Sequence, residues 1–373
     1  MKKEVKTRES NFELMRIISM FMIVLWHVII HGKMLDNSTG IIQLFLYFIL
    51  TICIVHVNSF VMVTGYFQYE KDFSLKKFIK LFNMQWFYRA IITIIFTLIG
   101  FITLSKVDFL REVLPIGSFY NYWFLNCYLV LYLISPFLNK FIKACNQKEL
   151  RHCLIISFIL FSVVAYFTGN AAVNNSGSTI LQFVFLYLLG AYLHKYPISN
   201  NYHFIRFSKE KKQVIFMFLT IFFCVINFFM LSFSILVKNL DSSIIKSFAD
   251  FIYNGIYFYS NPFVIIQTIF YFLFFETLTV KSKIINKISG TTLGIYLIHD
   301  NSFVRNVIYK LLKIDNGNMI GLKMLIYMFI VMIIIFIICS FIEFIRDNIS
   351  KWINDRKVIR NISCRFYNYI SKI

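Results

Sequence analysis

Apolar residues in this chain come in long, nearly unbroken runs separated by short polar segments. That is the pattern of membrane-spanning helices rather than of half-buried surface elements. Ten runs stand out, at 12–31, 41–65, 82–104, 119–139, 153–168, 179–194, 213–236, 260–280, 288–305 and 320–345. The predicted fold class is all-α, a polytopic membrane protein of about ten transmembrane helices. The ninth run is the most polar, carrying Gly290, Gly294, His299, Asp300 and Arg305. Membrane helices of that kind face a protein interior or a water-filled cavity. Two units are expected: a single membrane-embedded domain over 1–345 and a basic amphipathic tail over 346–373. The tail places Ile349, Trp352, Ile353, Ile359 and Ile362 at roughly helical spacing among basic residues, as a helix lying on an anionic leaflet does.

Charge orients the spans. With the N-terminus inside, the inner segments hold 29 of the 38 lysines and arginines, so both termini are expected in the cytoplasm. The basic start, Met1 to Arg8, leads into an apolar run with no small-residue cleavage site and reads as an uncleaved signal anchor. The net charge of +20 then reflects topology and lipid contact, and no basic domain stands clear to bind nucleic acid. A hydrophobic share of 58% excludes a soluble globular domain. The seven cysteines are odd in number and form no CxxC pair, which indicates neither a disulfide framework nor a zinc site. The surplus of Phe, Ile, Lys and Asn suggests an AT-rich bacterial gene, hence a multi-pass protein of a bacterial cytoplasmic membrane.

Ionisable residues inside such spans are the candidates for function. Arg16 and His27 lie eleven residues apart on the first helix, three turns plus about 20°, so they share one face about 16 Å apart along the axis. His56 in the second span and His299 in the ninth fall at similar depth. Interhelical hydrogen bonding is the plain reading for His56, and an outer-interface position for His31. No acidic residue accompanies the three deep histidines at ligand spacing, so no metal is expected. The inner loop after the second span brings Lys76, Lys77 and Lys80, with Arg89 a few turns on. Positive-inside bias explains them, and so does an anion site for the phosphates of a soluble cofactor, which Arg16 would join.

The segment Arg8 to Arg16, followed after ten residues by His27, resembles the opening of the polytopic membrane acyltransferases of acyltransferase family 3, with Glu13 as their acidic residue. Thr64-Gly65-Tyr66-Phe67, Tyr122-Trp123-Phe124, Ser135-Pro136-Phe137-Leu138-Asn139 and the stretch Ser289 to His299 resemble later segments of that family, in the same order. The resemblance implies transfer of an acetyl group from cytoplasmic acetyl-CoA to a hydroxyl of an envelope or exopolysaccharide sugar. It makes His27 the catalytic residue and Arg16 its partner. Many members carry an arginine pair after the second span where this chain has Lys77 and Lys80, which supply charge without the bidentate fork.

On that reading acetyl-CoA phosphates bind near Arg16, Lys77, Lys80 and Arg89, and the thioester reaches up to His27. His27 acts either as general base towards the sugar hydroxyl or as an acyl-accepting nucleophile, and the sequence leaves both open. His299 positions the acceptor or orients His27, while His56, Tyr122 and Trp123 are placed on the acceptor side. Expected partners are acetyl-CoA, an extracytoplasmic glycan and membrane lipids, with a homo-oligomer left open. The rival from another class is a transporter or flippase of an anionic envelope glycan intermediate, which would share the buried Arg and His.

Overall fold

A computed structural model describes residues 10–115, 121–168, 174, 176–198, 205–237, 243–312 and 321–354. Among the described residues the chain is helical with no strand. Seven helical stretches are long and apolar enough to cross a membrane: α1 (Ser10–His31), α2 with α3 (Gly40–Cys53, His56–Gln68), α4 (Leu75–Leu98), α6 (Trp123–Ala144), α7 (Gln147–Thr168), α9 (Lys209–Val237) and α15 (Leu322–Asn354). Between them, α5 (Lys106–Val113), α8 (Ile180–Lys195), α10 (Ser243–Ile256) and α11 (Pro262–Thr277) are shorter. Large apolar side chains such as Leu98, Phe137, Phe229 and Ile337 stay exposed on the outside of the bundle, as a lipid-facing surface requires.

The helix ends follow local chemistry more than hydropathy. α4 begins at Leu75 rather than near 82 because the Ser74 side chain caps it, accepting from the Lys77 amide. α7 begins at Gln147, ahead of its apolar run, on a capping box between Asn146 and Glu149. The expected ninth span is not one helix. It is α12 (Lys283–Ser289), α13 (Thr292–His299) and α14 (Ser302–Leu311), interrupted at Gly290–Thr291 and at Asp300–Asn301. Asn301 caps α14 through its Oδ1, which accepts from Phe303 N at 3.0 Å and so ends the helix before it. The second span also breaks, at Ile54–Val55, which puts His56 on the first turn of α3. α15 continues through the 345/346 boundary to Asn354; the rest of the 346–373 tail and the Met1–Arg8 start lie outside the described residues.

α1 is the axis of the bundle, in contact with α2, α3, α11, α12, α13 and α15. Its first turn is tied down: Asn11 Nδ2 donates to Phe275 O at 3.0 Å, and Ser10 Oγ accepts from Ser282 N at 2.9 Å. The tightest crossing is α3 on α8, where backbones touch. A Cβ at Gly65 would overlap the Tyr187 carbonyl oxygen, and one at Gly190 the Met62 carbonyl oxygen. In lipid, apolar burial drives helix association little, so close packing at small residues carries more of the stability. Gly190→Leu is expected to cost more than about 4 kcal/mol, since backbone must move. Size-exclusion of the detergent-extracted variant should show little folded protein, and a wild-type yield and melting curve would refute this packing.

Candidate active site

One cavity, of about 390 Å³, runs along one face of α1 inside the bundle and takes both Arg16 and His27 into its wall. At the Arg16 end, Arg16 Nη1 donates to both oxygens of Glu13, at 3.1 and 3.2 Å. Glu13 is a residue of helical spacing i, i+3, and such a pair forms within one turn. The Ser289 hydroxyl donates to Glu13 Oε2, one of the two oxygens Arg16 contacts, which ties α1 to the end of α12. The Arg16 side chain remains a quarter exposed (25%) to the cavity, so its guanidinium is oriented by Glu13 without being enclosed. Lys71, Lys77 and Gln68 stand on the opposite wall at this end.

At the His27 end the geometry selects one tautomer. His299 Nδ1 lies 2.6 Å from the Ile295 carbonyl oxygen, which only accepts, so this nitrogen carries the hydrogen. His299 Nε2 is then an acceptor, and His27 Nδ1 donates to it across 3.0 Å. In the neutral pair, His27 Nε2 is left with its lone pair. This backbone–His299–His27 chain is the kind of support that sets the orientation of a working imidazole.

Asp300 Oδ1 stands 3.6 Å from His27 Nδ1, beyond a hydrogen bond but within ion-pair range once the ring is charged. Arg305 Nη1 donates to that oxygen at 3.2 Å and lies 3.3 Å from His31 Nε2. His31, expected at an interface, is thus part of this cluster, its ring 5.1 Å from that of His27. His27, His31 and Asp300 offer ligand atoms within 4.8 Å of one another, an arrangement the sequence spacing does not show. Arg305 already supplies the positive charge there, and a divalent cation would have to displace it against Coulomb repulsion.

The other candidates divide. His56 lines the cavity, only 2% exposed, with both ring nitrogens buried and lacking a hydrogen-bond partner. The Tyr296 hydroxyl, from another wall residue, is also buried without one. Buried polar atoms are nearly always satisfied, by protein, ordered water or ligand, and these face the cavity. Trp123 lines the cavity too and stacks on Tyr259, centroids 5.7 Å apart at 25°. Tyr259 is held by its backbone, its carbonyl accepting from Asn58 Nδ2 at 2.8 Å and from Gln182 Nε2 at 3.2 Å.

Besides His299, three of the expected site residues lie outside the wall of this cavity. Tyr122 is not in the wall: its hydroxyl is buried, donating to Leu297 O at 2.8 Å and accepting from Asn301 Nδ2 at 2.9 Å. Its φ of 61° is a left-handed conformation costing a non-glycine residue about 1–3 kcal/mol. Tyr122 is a staple that holds the α13–α14 break, and with it His299 and Asp300, against the start of α6. Arg89 is likewise away from the cavity, fully buried, with Nε on Glu112 at 2.8 Å. The periodicity of α4 turns it towards α5, not towards the mouth. Lys80 also lies outside the main cavity, whereas Lys77 is in its wall, with Nζ on Gln68 Oε1 at 3.0 Å and 4.8 Å over the Tyr132 ring.

Glu13, Ser289, Tyr296, Asp300 and Tyr259 are the wall residues that sequence reasoning did not assign. The first had a local signal, its spacing to Arg16; the rest arrive from helices hundreds of residues away. Comparison with curated proteins and with solved structures finds no match. The comparison with protein families does: residues 9–344 match the family described as an acyltransferase domain, and the chain belongs to acyltransferase family 3 as a membrane acyltransferase.

Proposed function

We propose that the protein moves an acetyl group from cytoplasmic acetyl-CoA to a hydroxyl of an envelope or exopolysaccharide sugar, with His27 at the reacting atoms. The observation that carries this reading is the single cavity shared by Arg16 and by a His27 whose Nε2 is held free. A guanidinium at one end suits a phosphate-bearing donor, and an unprotonated imidazole at the other suits acyl chemistry. Both termini are then cytoplasmic and the Arg16 end is the inner mouth.

In the direct route His27 Nε2 takes the proton of the acceptor hydroxyl as its oxygen attacks the thioester carbon. The C–S bond breaks, and the thiolate leaves as CoA thiol with the proton from the imidazolium. In the relay route Nε2 attacks the thioester carbon and the C–S bond breaks to release the thiolate. The hydroxyl oxygen then attacks the acyl-imidazolium, the C–N bond breaks to restore the neutral ring, and the hydroxyl proton ends on the thiolate as CoA thiol. Either way His27 becomes transiently cationic, and the Asp300 carboxylate 3.6 Å away favours that charge. The Tyr296 hydroxyl is a donor for the developing oxyanion. Trp123 and Tyr259 offer an aromatic face to a sugar ring, and the two bare nitrogens of His56 offer hydrogen bonds to its hydroxyls.

The test is to supply acetyl-CoA labelled in the acetyl group to the cytoplasmic face of membrane vesicles. Label appearing covalently in glycan supports the enzyme; movement of unmodified glycan with no transfer would support the transporter. In the same assay Arg16→Lys keeps charge but loses the planar fork, and is expected to raise the KM for acetyl-CoA about tenfold or more. An unchanged KM would remove Arg16 from the donor site.

A further inference from the structure

The eleven residues from Arg16 to His27 span about 16 Å of helix, roughly the reach of an extended pantetheine arm. A thioester at His27 therefore leaves the nucleotide end of CoA beyond Arg16, outside the main cavity. A second hollow, of about 380 Å³, opens there between α12 and the end of α15, and Gly290 belongs to the walls of both.

The chemistry of this hollow is that of an anion and nucleobase site. Lys287 is in its wall, 4.4 Å over the Phe344 ring, and forms no ion pair among the described residues. Its two carboxylates are neutralised from within. Glu343 accepts from both Arg346 Nε and Nη2 at 2.7 Å, and Asp347 pairs with Lys351 at 2.5 Å. Lys80, which faces away from the main cavity, comes within electrostatic range of Asp347 from α4. Asn286 Oδ1 is buried with no hydrogen-bond partner, an acceptor waiting for a donor. The wall itself holds two cations, Lys287 and Lys351, and two acids, Glu343 and Asp347. Arg346 and Lys80, outside the wall but acting on those acids, tip the balance to positive around a space of nucleotide size.

Resting on the acyl-CoA reading above, we infer that this hollow holds the adenosine phosphate end of the donor. Lys287 and Lys80 face its phosphates, and Asn286 Oδ1 accepts from the adenine amino group. The arm then passes Gly290 and Arg16 into the main cavity. The full-length protein in vesicles tests this with two donors, acetyl-CoA and S-acetylpantetheine, which lacks the nucleotide.

Lys287→Gln is expected to raise the KM for acetyl-CoA about tenfold, the worth of one charge-assisted contact, with kcat unchanged. The KM for S-acetylpantetheine should not move. Asn348→Trp, which fills the hollow from the α15 wall, should give the same split without altering charge. Equal effects on both donors, or none on acetyl-CoA, would overturn the nucleotide assignment and leave the donor reading standing. Wild-type protein that transfers from neither donor would overturn the donor reading itself.

Discussion

His27→Ala is expected to reduce acyl transfer by about a thousand-fold, within the range that a positioned acid–base group contributes. Membrane insertion and, on the proposed function, the KM for acetyl-CoA should stay near wild type, because His27 lies at the far end of the cavity from Arg16. The expectation follows from one nitrogen. Nδ1 is engaged by His299 at 3.0 Å, so Nε2 is the only atom of the ring that can take a proton or an acyl group. Neither His299 nor His56 substitutes for it: the first is buried outside the cavity wall, and the second stands on another helix. Initial rates of labelled acetyl transfer in vesicles measure the effect, and a variant within tenfold of wild type would end the assignment. The same variant separates the two routes. With acceptor withheld, donor label that stays on wild-type protein, is released by hydroxylamine and is missing from His27→Ala identifies the acyl-imidazole.

His299→Ala is expected to lower kcat by about 10- to 100-fold, the usual cost of losing the group that orients a working imidazole. Without Nε2 as acceptor, His27 is free to carry its hydrogen on either nitrogen and to turn. A residual rate remains because Asp300 still stands 3.6 Å from Nδ1 and holds part of the orientation. His299→Gln is the informative companion. Its amide oxygen can accept from His27 Nδ1, so several-fold recovery over Ala is expected in kcat with KM for both substrates steady. Gln no better than Ala, or a change confined to KM, would show that His299 serves packing or acceptor binding instead. The plain reading of a membrane histidine, an interhelical hydrogen-bond partner worth about 1 kcal/mol, predicts lower stability with kcat intact.

The order of the helices was legible because lipid exposure leaves long apolar runs, but their ends were not. Ser74, Asn146 and Asn301 move or cut helices by capping, and hydropathy is blind to a single side-chain hydrogen bond. The expected ninth span shows the limit most clearly. Its polar residues announced an interior position, yet the breaks at Gly290–Thr291 and Asp300–Asn301 are what aim Ser289 at Glu13 and His299 at His27. Tyr122 and Trp123 are neighbours in sequence with opposite fates, a buried staple and a cavity wall, because the left-handed φ at 122 turns the chain between them.

From the sequence alone came the helical membrane class and the stripe that Arg16 and His27 share on α1. The stripe is a property of one helix, where 3.6 residues per turn fixes which side chains lie together. Tertiary packing alone decided that His27 meets a residue 272 positions away. It also decided that Asp300 and Arg305 converge beside them, that Arg89 faces Glu112, and that a second hollow borders the first. The rotation of each helix about its own axis is set by what it packs against, as at Gly65 and Gly190, and no periodicity within a single helix encodes that neighbour.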